Sequence, residues 1–178
     1  MTREAVLRLL QRHDLETFTA PGMSITDDNA QQLGIQEHLI FLNVMQSDLT
    51  DTGFAALKPA RLQFLYIAGT HVTADSLQRE LSTNWTLQSL ALDGRQFTPE
   101  LAAQLAQMRS LTMMVLIGPD VTDAHVKLLE SMPNIRYIRL EQTSVSEEAV
   151  AALRAARPQP GAVDVPGPED IFYRWRPE

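Results

Sequence analysis

The sequence predicts an α/β solenoid of stacked repeats, and three observations carry that prediction. A unit of about 24 residues recurs six times. Each unit joins a short apolar strand pattern to the inner stripe of a short helix. A hydroxyl residue recurs where each helix should begin. The units start at Leu15, Leu39, Leu62, Leu87, Leu111 and Ile135, spaced 24, 23, 25, 24 and 24 residues apart. Such periods mark stacked-repeat architectures, because one unit cannot bury its own apolar stripe.

The strand comes first in each unit. Its fourth residue is Phe18, Leu42, Leu65, Leu90, Met114 or Ile138, and its sixth is Ala20, Val44, Ile67, Leu92, Leu116 or Leu140. Alternation at period two puts these side chains on one face of the strand. The eleventh residue (Ile25, Leu49, Val72, Phe97, Val121, Val145) seals the turn that follows. The sixteenth (Ala30, Phe54, Leu77, Ala102, Val126, Val150) and the leucines near the nineteenth form the inner stripe of a helix. The helix start is marked at the twelfth position by Thr26, Thr50, Thr73, Thr98, Thr122 and Ser146. A hydroxyl there accepts an otherwise unpaired backbone N–H. The next residue is acidic in four units, as Asp27, Asp51, Asp123 and Glu147, which complements the helix dipole. Gly69, Gly94 and Gly118 recur after the strand, where a small residue eases the bend.

The ends depart from the repeat. Residues 3–13 read as an amphipathic helix through Val6, Leu9 and Leu10, so residues 1–14 are expected to cap the first unit. Repeats occupy 15–158. Residues 159–178 hold a truncated seventh unit, with Val163 and Val165 at its fourth and sixth positions, and the aromatic tail "IFYRWRPE". Two readings of that tail stay open: a lid on the last repeat, or a segment that docks on a partner or on the chain itself.

Composition narrows the function class. The net charge of −7 disfavours a general binder of nucleic acid or anionic membrane, each of which needs a basic surface. No run of about 18 apolar residues suggests a membrane span. The N-terminus does not read as a signal peptide, because Arg8, Gln11 and Arg12 break its apolar patch. With no cysteine, disulfides, thiolate metal sites and thiol catalysis are excluded, which fits a cytoplasmic setting.

The pattern L-x-x-L-x-L followed by turns such as "SDLTD", "DVTDA" and "TSVSE" resembles the leucine-rich repeat family over residues 15–158. Its V-T-D-type turns are most similar to the cysteine-containing and ribonuclease-inhibitor-like subclasses. One departure stands out. The ninth position, often Asn or Cys in the family, is Met23, Ser47, Thr70, Arg95, Pro119 and Thr143, so a continuous asparagine ladder cannot form. Arg95 and Pro119 mark the turns where distortion is expected.

The resemblance implies a parallel sheet lining a concave side, with the third, fifth and seventh positions pointing out of it. Those columns are unusually apolar. Phe41, Met45, Phe64, Tyr66, Met113, Val115, Ile117 and Tyr137 are expected to form a nearly continuous patch, with Asn43, Asp93, Arg139 and Glu141 as a polar rim. A patch of several hundred Å² usually marks an interaction surface, and Phe, Tyr and Met are enriched in interface cores. The expected function is therefore non-enzymatic protein binding, as an inhibitor, adaptor or recognition subunit. The expected hot spots are Phe41, Phe64, Tyr66, Met113 and Tyr137. The alternative is a structural or assembly subunit that self-associates, as a homo-oligomer, through the same face or the tail.

Catalytic signals are poor. His13, His38, His71 and His125 occupy different repeat positions and form no column. His125 beside Asp123 invites a metal reading, but Asp123 is already explained as a helix-start anion. No phosphate loop, dinucleotide fingerprint or nucleophile elbow is present. No cofactor, metal or catalytic residue is expected.

Overall fold

The computed structural model describes residues 14–159 and 161–166. The expected N-terminal cap lies outside them, apart from Asp14, as does the aromatic tail. The order is β1 (Thr17–Thr19), α1 (Asp27–Gly34), β2 (Phe41–Asn43), α2 (Asp51–Leu57), a 3₁₀ turn (Pro59–Arg61), β3 (Phe64–Tyr66), α3 (Ala74–Leu81), β4 (Ser89–Leu92), α4 (Pro99–Leu105), β5 (Met113–Ile117), α5 (Asp123–Glu130), β6 (Tyr137–Glu141), α6 (Glu147–Ala156) and β7 (Val163–Asp164). The strands form one seven-stranded parallel sheet in sequence order. Each strand–helix pair advances the sheet by one strand, as a stacked repeat requires.

Register follows the repeat numbering. Phe18, Leu42, Leu65, Leu90, Met114, Ile138 and Val163 lie in one row across all seven strands. That row, the sixth-position row and the helix stripes form one continuous core between sheet and helices. The truncated seventh unit is only half realised. Val163 is buried against this core, whereas Val165 is 41% exposed and contributes nothing to it.

The helix starts are capped as the hydroxyl column predicts. Thr50, Thr73, Thr98 and Ser146 accept from backbone N–H groups in their own first turns. The acid after the cap does more than complement the dipole. Asp27 accepts the Thr50 N–H at 3.1 Å and its hydroxyl at 2.7 Å. Asp51 does the same for Thr73, at 2.7 and 2.8 Å, and Asp123 for Ser146, at 2.8 Å each. Each acid thus ties its repeat to the next cap. Ala74 and Pro99 cannot continue this ladder. Thr122 donates its N–H instead to Nδ1 of His125 in its own helix, at 3.0 Å. With Nδ1 accepting, Nε2 carries the proton and donates to the Gly94 carbonyl at 3.0 Å. His125 is a cap and a tether between repeats.

Other polar side chains replace the missing asparagine ladder. Buried Gln96 donates to the carbonyls of Ile67 and Val72 and accepts the Asp93 N–H. Buried Asn84 donates to the carbonyls of Pro59 and Leu62 and accepts from Thr86 and Leu87. Arg157 spans back to the carbonyls of Leu129 and Met132 in the preceding repeat and of Ile135 at the start of its own.

The bend after each strand falls at the eighth position. Gly22, Gly69 and Gly118 have positive φ there, and Gln46 (56°) and Gln142 (53°) adopt it without a glycine. Gly94 serves a different need: a Cβ would run into the Asp120 carbonyl of the next turn.

Candidate functional site: the concave sheet face

The residues singled out from the sequence do share one face. Phe41, Phe64, Ser89, Met113 and Tyr137 form one row, and Asn43, Tyr66, Ala91, Val115 and Arg139 the next, in register across β2–β6. Phe41, Met45, Tyr66, Ala68, Ala91 and Val115 form a second buried apolar cluster, separate from the main core. Phe64, Met113 and Ile117 pack against it, partly exposed. Four of the eight expected apolar members of this face, Phe41, Met45, Tyr66 and Val115, are therefore buried and not open to solvent. Only Tyr137, 53% exposed, stands largely in water among its apolar members.

Local packing accounts for part of this burial. Strands about 4.8 Å apart bring side chains in one row into contact. The Phe41 ring meets Tyr66 edge-on at 5.3 Å and Phe64 at 5.7 Å. Ser89 and Ala91 are small and leave room beside Tyr66, whose hydroxyl reaches Ser89 Oγ at 3.1 Å. Burial pushes the Tyr66 pKa up to about 12, because the phenolate would lose its water; the Ser89 hydrogen bond offsets this slightly.

The polar residues divide by role. Asn43 is buried, and its side-chain oxygen accepts the Met45 N–H. Asp93 is also buried and organises its turn. One oxygen accepts from Gly69 N–H and Arg95 Nη2, both at 2.9 Å, and the other from the N–H groups of Arg95 and Gln96. Four hydrogen bonds satisfy this carboxylate within the chain, so it acts as a turn brace. Arg139 bridges Glu141 at 3.2 Å and Asp164 at 2.6 Å, tying the last two strands together.

A cavity of about 280 Å³ opens beside this cluster, at the carboxyl ends of the strands. Met45, Ala68 and Ile117 form its apolar floor, and Asp93, Asp120, Glu141 and Arg95 its charged wall. Arg95 sits between Asp93 (2.9 Å) and Asp120 (3.4 Å). Its pKa is raised, by the hydrogen bond and charge of Asp93 first and by Asp120 less. Sequence reasoning flagged Arg95 and Pro119 only as turn distortions and passed over Asp120, Gln46 and Gln142. The signal was present: these loops depart from the repeat next to the apolar columns.

Among the described residues, no group of three or more His, Asp or Glu side chains could hold a metal ion. No helix among them is long and apolar enough to cross a membrane.

No protein-family model matches the sequence, and no curated protein matches it. Among solved structures, an internalin from Listeria monocytogenes superposes with a TM-score of 0.53 at 15% identity. The match covers 91% of this chain and 53% of the internalin, so the chain spans about half of that protein's length. The fold is a leucine-rich-repeat solenoid: an α/β architecture with a parallel sheet of seven strands alternating with helices.

Proposed function

We propose that this protein is a non-enzymatic protein-binding module, an inhibitor, adaptor or recognition subunit, that engages a partner protein through its concave sheet face. The observation that carries this reading is the second apolar cluster. A solenoid needs one core, between sheet and helices. Nothing in the repeat requires Phe41, Phe64, Tyr66, Met113, Val115 and Ile117 on the opposite face. The inner members of the cluster make a rigid floor, which limits the entropy lost on docking. Phe64, Met113, Ile117 and Tyr137 are its accessible edge, with Arg139 beside them; Glu141, expected at the rim, is buried and pairs with Arg139. The resemblance to ribonuclease-inhibitor-like turns and a cytoplasmic setting belong to the same proposal.

Affinity capture with Phe64→Asp plus Met113→Asp tests it. Both positions are partly exposed, so the charges need not be buried. Loss of specific partners from a variant that keeps the wild-type circular dichroism spectrum is expected. Full retention of every partner contradicts the proposal.

A further inference from the structure

We propose that residues 171–176, Ile171-Phe172-Tyr173-Arg174-Trp175-Arg176, dock in cis on the concave face and occupy it until a partner displaces them. This rests on reading that face as a protein-docking surface. Three observations converge on this occupant.

The first is position. All strands are parallel, so their carboxyl ends share one edge. The cavity lies at that edge, and the chain leaves β7 there through Val165 and Pro166. Residues 167–178 extend to about 40 Å at full stretch. The half-buried Phe64 on β3 is four strand intervals from β7, about 19 Å across the sheet. The segment reaches the whole apolar row with slack for a turn.

The second is charge. At this edge the carboxylates of Asp93, Asp120, Glu141 and Asp164 face the guanidiniums of Arg95 and Arg139. These six groups sum to two negative charges, and residues 171–176 carry two positive ones, Arg174 and Arg176, flanked by Glu169, Asp170 and Glu178. Asp120 and Asp164 are solvent-exposed, so each attraction adds little, whereas reversing both arginines sets like charges against these carboxylates.

The third is chemistry and size. In extended form Ile171, Tyr173 and Trp175 share one side, which gives the segment an apolar side suited to Phe64 and Met113. The adjoining cavity, about 280 Å³, lies at or below the range of about 300–1,000 Å³ typical of small-molecule pockets. It suits one long side chain.

Tryptophan fluorescence of the full chain tests this directly. The protein has two tryptophans, and Trp85 is 71% exposed, so Trp85→Phe leaves Trp175 as the sole reporter without touching the core. The expected result is blue-shifted Trp175 emission, severalfold shielded from acrylamide and independent of protein concentration. Two further changes in this background should each release it: Phe64→Asp with Met113→Asp on the face, and Arg174→Glu with Arg176→Glu on the segment. The second pair lies outside the solenoid and keeps the test valid if the first pair disturbs folding. Solvent-like emission in the Trp85→Phe chain overturns the proposal. So does shielding that survives both pairs, or shielding that grows with concentration, which assigns the face to a second copy. If the tail contact fails while partner capture still depends on Phe64 and Met113, only the cis occupant is wrong. If partner capture ignores those residues, the underlying reading of the face falls too.

Discussion

On the helix side of the sheet, the sixth-position row reads Ala20, Val44, Ile67, Leu92, Leu116 and Leu140, and every member is buried. On the opposite side, the fifth-position row reads Thr19, Asn43, Tyr66, Ala91, Val115 and Arg139, running from polar through apolar to charged. The first row repeats because each repeat must bury its helix. The second varies from strand to strand, so the stacking of helices does not dictate it. Its apolar middle is nonetheless packed: Tyr66, Ala91 and Val115 have no exposed surface. The comparison separates side chains that hold the solenoid together from those that give one of its faces a particular chemistry. It also shows that this face has an inner, structural layer and an outer, accessible one.

The predictions test that division in order of expected effect. Leu65→Ala removes a fully buried side chain from the helix-side row and should cost about 3 kcal/mol in urea denaturation, within a usual range of about 2–5. Gly69→Ala should cost about 1–2 kcal/mol, because φ is +74° and the new Cβ meets Gln46 Cγ at 3.2 Å. Tyr66→Phe leaves the ring in place but removes the contact with Ser89, and should cost about 1 kcal/mol. If Tyr66→Phe is silent, the hydroxyl is not part of the inner layer.

The smallest effect concerns the ladder of acids on the helix side. The Ser146 backbone N–H, then its hydroxyl, lowers the Asp123 pKa from its ordinary 3.8. A carboxylate whose folded pKa is lowered stabilises the fold above its unfolded value. That contribution is lost as pH falls through the lower folded value. A carboxyl NMR titration should therefore place the Asp123 midpoint below 3.8 in the wild type and higher in Ser146→Ala. Equal midpoints in the two proteins contradict the ladder.

Much of this organisation was legible in the sequence because burial imposes period. The strand columns, the helix stripe and the hydroxyl caps each recur every 24 residues or so, and the structure places them accordingly. Alternation also assigned Phe64 and Tyr66 correctly to the face opposite Leu65. It could not say how deeply they are buried. Exposure depends on neighbours in other repeats, such as Ser89 and Ala91, which make room for Tyr66. The same reason hid the bonds from Asp27 to Thr50 and from His125 to Gly94, each joining side chains or backbone about one repeat or more apart. Left-handed Gln46 and Gln142 were invisible because sequence marks that conformation mainly through glycine. Val165 fits the column by type, but β7 ends at Asp164 and leaves it outside the core.

Phe64 and Leu65 are adjacent in the chain and point to opposite faces, so they offer the most direct test of the account. Urea denaturation of Phe64→Ala and Leu65→Ala, measured side by side with the wild type, compares the accessible edge of one face with the core of the other. The account predicts that Phe64→Ala loses less than half the unfolding free energy that Leu65→Ala loses. Equal losses would make Phe64 part of the structural core and would contradict the claim that the outer layer of this face is free to serve docking.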